Sequence, residues 1–147
     1  MDYDAIREGM AAAIPFNTHV GLEVIALDAN SATVRLPDDE RLHNHVGSQH
    51  AAGLFAAAEA ASGGAFVGAF AERLGEVTPL ASAAKIEYME LARGPIDARA
   101  ELADGDQLLE QLDANGKVSF TIGVGLTDES GTEVARATVD WHVRKNS

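Results

Sequence analysis

The stretch from Ala51 to Ala71, AAGLFAAAEAASGGAFVGAFA, restricts the fold more than any other part of the chain. It contains no proline and is dominated by alanine, the strongest helix former. Leu54, Phe55, Ala58, Ala61, Ala65, Phe66 and Ala69 recur at helical spacing and predict an apolar stripe. Gly63, Gly64 and Gly68 would let the helix backbone lie close against its support. At ~1.5 Å per residue such a helix is about 30 Å long. That is the width of five or six strands at ~4.8 Å spacing.

The flanking segments predict that sheet. Residues 2–13 read as a short helix with acids in its first turn and Pro15 just beyond it. Segments 19–28 and 31–37 alternate and are joined by turn residues Asp28 to Ser31, which predicts a hairpin. Residues 38–49 read as loop. After the long helix, segments 80–91, 95–104, 117–128 and 133–145 all alternate. Residues 105–116 read as a connection with a helical turn at DQLLEQLD. The order predicts an α+β fold, an antiparallel sheet wrapped around one long central helix. Its sheet edges need covering, and side-by-side dimerisation is one way to cover them. His142 and Trp141, neighbours on the last strand, are read as core and surface.

Composition removes several classes of function. The chain has 147 residues, 46% of them apolar and 23% charged, which suits one domain with a real core. A formal charge of −12 opposes binding to nucleic acid or anionic membrane, since both need clustered Lys and Arg. With no cysteine there is no disulfide, thiolate metal site or thiol nucleophile. The acidic start lacks a signal-peptide pattern, and no apolar run is read as reaching the ~18–20 residues of a membrane span. The expected location is therefore cytoplasmic.

Glu59 is the one acid within the apolar helix. Phe55, Glu59, Ser62/Gly63 and Phe66 share one helical row, which puts Glu59 on or beside the stripe. Partial burial raises a carboxyl pKa and suits it to act as a general base or nucleophile near neutral pH. Just upstream, HNHVGSQH (43–50) gathers His43, Asn44, His45 and His50 before the helix. A helix N-terminus offers free N–H groups that can hold an oxyanion. The histidine spacing matches no strong metal motif, and no metal is expected. Ser82 could hold a water beside the third strand.

Taken together, these residues resemble the hotdog fold, in which a sheet of five or six antiparallel strands wraps a long helix. One such domain would span 1–147. Within that fold the chain is similar to the PaaI-like acyl-CoA thioesterases, because Asn44, Gly47, His50, Ala51, Ala52 and Glu59 fall at that family's spacings. Segments 86–94 and 116–143 resemble its later strands. His-Ala-Ala stands here where those enzymes have His-Gly-Gly, Glu59 where Asp is commoner, and Leu91 where they have proline.

The resemblance implies a role for each matched position. The Ala51 amide would polarise a thioester carbonyl, and Glu59 would be nucleophile or base. Asn44, His50 and Ser82 would orient substrate or water, while Gly47 would take part in substrate binding. Arg93 would meet coenzyme A phosphates, and Phe55, Phe66 and Met89 would shape the acyl pocket. Lys85, Arg136 and Arg144 are further candidate cations, and their scatter would favour a carrier-protein or smaller substrate. The expected activity is acyl-CoA hydrolysis without a cofactor, coenzyme A entering only as part of the substrate, at the interface of a homodimer or dimer of dimers. Two alternatives stand beside it. One is a hotdog dehydratase or hydratase, which pairs a loop histidine with a glutamate fourteen positions later, as His45 and Glu59 are spaced. The other is a non-catalytic acyl-binding hotdog protein.

Overall fold

The computed structural model describes residues 1–147. In chain order the elements are α1 (Tyr3–Ala13), α2 (Pro15–Val20), β1 (Glu23–Leu27), β2 (Ser31–Leu36), a short 3₁₀ turn (Glu40–Leu42), and α3 (Ala51–Ala69). A second 3₁₀ segment (Ala71–Glu76) leads into β3 (Val77–Tyr88), β4 (Ile96–Glu101), α4 (Gly105–Asn115), β5 (Lys117–Thr127) and β6 (Glu133–Lys145). The six strands form one sheet in the order β1-β2-β4-β5-β6-β3, with every pairing antiparallel. The sheet wraps α3, the expected hotdog arrangement.

Alternation in β6 places Val139, Trp141 and Val143 toward the helix and Arg136, Thr138 and Arg144 away from it. Phe66 on α3 packs against Phe70 and Trp141 with ring centroids 4.5 and 6.2 Å away, fixing the C-terminal half of the helix on the sheet. Trp141 Nε1 donates to Ser62 Oγ at 3.0 Å, and Ser62 in turn donates to the Glu59 carbonyl at 2.7 Å. Each buried polar atom in this chain of bonds thus has a partner.

Local signals misplace several boundaries. Residues 15–20 are helical, taking in 19–20 from the expected strand 19–28, because Pro15 suits the first helical turn and Gly21, at φ 84°, closes it in the left-handed region. β1 therefore begins only at Glu23. The connection 105–116 is a complete helix, α4, whose Leu108 and Leu112 are buried and whose end is capped by Gly116 at φ 74°. β3 begins at Val77 and runs through Pro79, which an edge strand tolerates because no ladder partner needs the missing N–H.

The central helix also departs from the expected pattern. α3 stops at Ala69 and is apolar all round rather than striped, with Ala56, Ala57, Ala60 and Gly64 buried as well. Phe55 is exposed. At 19 residues, with an 18-residue window of mean hydropathy 1.2, α3 is long and apolar enough to cross a membrane, contrary to the composition-based expectation; 61% of that window is buried within the fold, where α3 is the core helix.

Candidate active site

The least buried line along α3 is Ala52, Phe55, Glu59, Gly63 and Val67, all spaced three or four apart. Its N-terminal part is open, with Phe55 37% exposed. From Glu59 onward the line is roofed by α1 and α2 and forms one wall of a cavity of about 350 Å³. Leu22, Val24 and Val34 of the first hairpin region form another wall, and Leu74, Val77, Pro79 and Trp141 close it. Glu59 is the only ionisable residue among the seventeen that line it, and Asn17 supplies the one other hydrogen-bonding chain side group apart from the Trp141 indole. The Glu59 carboxylate has no hydrogen-bond or ion-pair partner, and burial pushes its pKa above the ordinary value. An unpaired, half-buried carboxylate at a cavity mouth is suited to accept a proton.

The loop before α3 is held by its own side chains. Asn44 Oδ1 accepts from the amides of Val46 and Ser48, at 3.1 and 3.0 Å. Its Nδ2 donates to Ser48 Oγ at 2.8 Å and more weakly to the Gln49 carbonyl at 3.4 Å. The Asn44 carboxamide therefore braces the loop. Asn44→Ala should cost about 1–2 kcal/mol, checked by urea unfolding, with the lower midpoint accompanied by an unchanged slope.

Gly47 takes φ 77° at the tip of the same loop, a backbone conformation that favours glycine. Arg93 reaches back to the Gly47 carbonyl at 3.4 Å and makes no ion pair. His50 caps α3 through Nδ1, which accepts from the Ala52 amide at 2.9 Å. The neutral ring then carries its proton on Nε2. His43 Nε2 lies 2.8 Å from Asp38, and none of the three loop histidines lines the Glu59 cavity.

The Ala51 amide opens α3 and donates to no protein group, while the Ala51 carbonyl accepts from Tyr88 Oη at 3.0 Å. Eight residues of helix separate that amide from the Glu59 backbone by an axial rise of about 12 Å within one protomer. One chain thus holds both groups without bringing them together.

Residues 3–143 match the family described as a domain of unknown function, DUF4442. The chain belongs to the DUF4442 family. No curated protein matches it. Among solved structures, a Pseudomonas aeruginosa protein of unknown function, described as a "Probable Thioesterase", is 26% identical with a TM-score of 0.89, over 99% of this chain and 97% of that one. A Chlorobaculum tepidum protein of unknown function is 15% identical, TM-score 0.82, over 98% and 94%. A Haemophilus influenzae thioesterase is 15% identical, TM-score 0.77, over 99% and 92%. The last two likenesses concern fold alone. They support the hotdog fold.

Other expected site residues of this DUF4442 chain are dispersed. Ser82 sits at a bulge on β3 and donates to the Asp140 carbonyl at 3.2 Å. Of the predicted pocket-shaping residues, Phe66 lines the cavity, whereas Phe55 and Met89 are exposed outside it. Lys85 and Arg136 pair with Glu87 and Glu133, at 3.2 and 2.7 Å. Arg144 lies eight residues beyond Arg136 on the same strand, roughly 27 Å away. Positive charge is thus dispersed along the sheet, and Arg93 is the one of these four beside the helix start. Asn17 and the α1–α2 roof escaped the sequence reading. The Pro15 and Gly21 cap signals were the available pointer to that helix.

Proposed function

We propose that this protein is an acyl-thioester hydrolase of the PaaI-like type, with Glu59 as the carboxylate that drives water addition; acyl-CoA is the substrate tested first, and the dispersed cations favour a carrier-protein or smaller thioester beside it. The lone, desolvated carboxylate at the mouth of an apolar cavity carries this reading. Water attacks the thioester carbonyl carbon while Glu59 takes its proton. The developing oxyanion is held by the free Ala51 amide at the helix start. The C–S bond then breaks, and the proton held by Glu59 passes to the leaving thiolate. The products are a free acid and coenzyme A, and no metal or organic cofactor takes part. If Glu59 instead attacks the carbonyl carbon directly, the C–S bond breaks to give an anhydride and the thiolate; water then cleaves the anhydride, restoring Glu59 and releasing the acid, and one of its protons goes to the thiolate.

An axial separation of about 12 Å within one chain supports an arrangement in which the amide comes from a second copy. β3 is a twelve-residue edge strand, exposed from Leu80 to Lys85. Phe55, Leu80, Tyr88, Met89 and Leu91 are large, exposed apolar side chains on and around it. Such an edge is a template for pairing. Dimerisation there would set the Ala51 amide of one protomer near the Glu59 of its partner, with Arg93 near the phosphates.

Two measurements test this. Purified protein with a panel of acyl-CoAs and a thiol-reactive dye should release free thiol; reversible hydration of enoyl thioesters without thiol release would instead identify the His45–Glu59 dehydratase reading. Ala84→Arg places a charge on the exposed edge strand and should convert the dimer to monomer by analytical ultracentrifugation, with turnover falling at least tenfold. A monomeric wild type with full activity would remove the shared-site geometry.

A further inference from the structure

The row Phe55, Glu59, Gly63 and Val67 runs from open surface into the cavity, and Glu59 marks the crossing. A thioester whose carbonyl rests at Glu59 can direct its thiol part outward past Phe55 and its acyl part inward past Gly63. The inward space is walled by hydrocarbon, including Met10, Ile14, Phe66, Val67 and Leu74. Asn17, uncharged and without a side-chain hydrogen bond, adds one polar group. No cation is available there to hold a charged acyl tail, and a second carboxylate would face Glu59.

We propose that the cavity beneath α1 and α2 is the acyl-chain site and that it selects straight, uncharged hydrocarbon chains of medium length. This rests on Glu59 being the reaction partner of the thioester. About 350 Å³ is available. At about 30 Å³ for each water-sized group, that space holds roughly ten carbons. The roof belongs to the same protomer, and α1 buries none of its own residues in the core. It is held to the body in part by Arg7, which donates to the Val24 carbonyl at 3.3 Å. Chain-length selection is therefore set by the N-terminal helices, separately from the edge that forms the dimer.

The protein contains one tryptophan, Trp141, and it is in the cavity wall. Its fluorescence reports occupancy without turnover. Titration with straight-chain primary alcohols from butanol to tetradecanol should change the Trp141 signal saturably. Affinity should rise about three- to fourfold per added methylene and level off near ten carbons. Gly63→Leu and Val67→Phe on α3, and Ala11→Phe at a position of α1 that lines the cavity, should shorten the chain at which the plateau falls.

The same variants should lower the ratio of decanoyl-CoA to butyryl-CoA kcat/KM at least tenfold. Circular dichroism and melting curves establish that each is folded, and Ala11→Phe keeps the test open if a helix-core variant is not. A saturable, length-dependent signal without hydrolysis of any thioester would overturn the hydrolase reading and leave this site standing. Hydrolysis with no chain-length dependence, or with filled variants indistinguishable from wild type, would overturn this site and leave the hydrolase reading standing.

Discussion

Glu59→Gln should lose ~10²- to 10⁴-fold in kcat, the usual contribution of a positioned acid–base group, and should also be more stable than wild type at neutral pH. Both effects come from the same burial. The unfolded chain titrates Glu59 near the ordinary value of 4.5, and the folded chain holds the proton to higher pH. The carboxyl's contribution to stability is therefore fully present below the unfolded pKa. It is lost as pH rises through the raised folded value, where the fold must hold a desolvated charge. Glutamine fills the same space without that charge. The melting temperature of Glu59→Gln should exceed wild type by a few degrees at pH 7–8, and the difference should vanish toward pH 4. Over the same window, wild-type kcat/KM should rise with pH and level off once Glu59 is ionised. An active Glu59→Gln, or one destabilised at pH 7, would assign Glu59 a structural place instead.

Gly68→Ala should be among the most damaging single-methyl changes in the chain, while Gly63→Ala on the same helix should stabilise it. Helix propensity favours alanine over glycine by about 1 kcal/mol at both sites. The surroundings differ. A Cβ at Gly68 would run into the Asp28 carbonyl. That turn cannot move aside cheaply, because the Asp28 carboxylate accepts from the amides of Asn30 and Ser31, both at 2.8 Å, and from Ser31 Oγ. These bonds also hold the Asp28 pKa below its usual value. At Gly63 a Cβ would meet only the edge of Trp141, 3.7 Å away, an ordinary contact. Overpacking against backbone costs about 1–3 kcal/mol or more. Gly68→Ala should lower the melting temperature by roughly 5–10 °C. Gly63→Ala should raise it by a few degrees. Calorimetry on the pair decides the sign at each site, and an intermediate case is Gly64, where a Cβ would fall 2.6 Å from that of Ala32.

The two helix-bound predictions show where sequence reasoning reached and where it stopped. Ala51–Ala69, its alanines and its single acid were legible, because helix propensity and 3.6-residue spacing are local properties. The strands of β2, β5 and β6 were legible for the same reason. Pro15, Leu108 and Leu112 carry cap and core signals too short to outweigh their neighbours, so α2 is not legible in the sequence and α4 shows only as a helical turn within a connection. Asn44 and His50 stood out correctly as polar residues at the helix start. Their hydrogen bonds to the backbone could not be read, since loop geometry fixes them.

Sequence alone determined an apolar helix with one carboxylate and enough alternating strands to enclose it, since each depends on residues a few positions apart. Tertiary structure alone decided that the carboxylate meets a cavity instead of water. That outcome needs α1, α2, the β1–β2 region and Trp141, elements tens of residues away, to converge on one line of the helix. Burial, and with it the proton affinity of Glu59, is a property of that convergence.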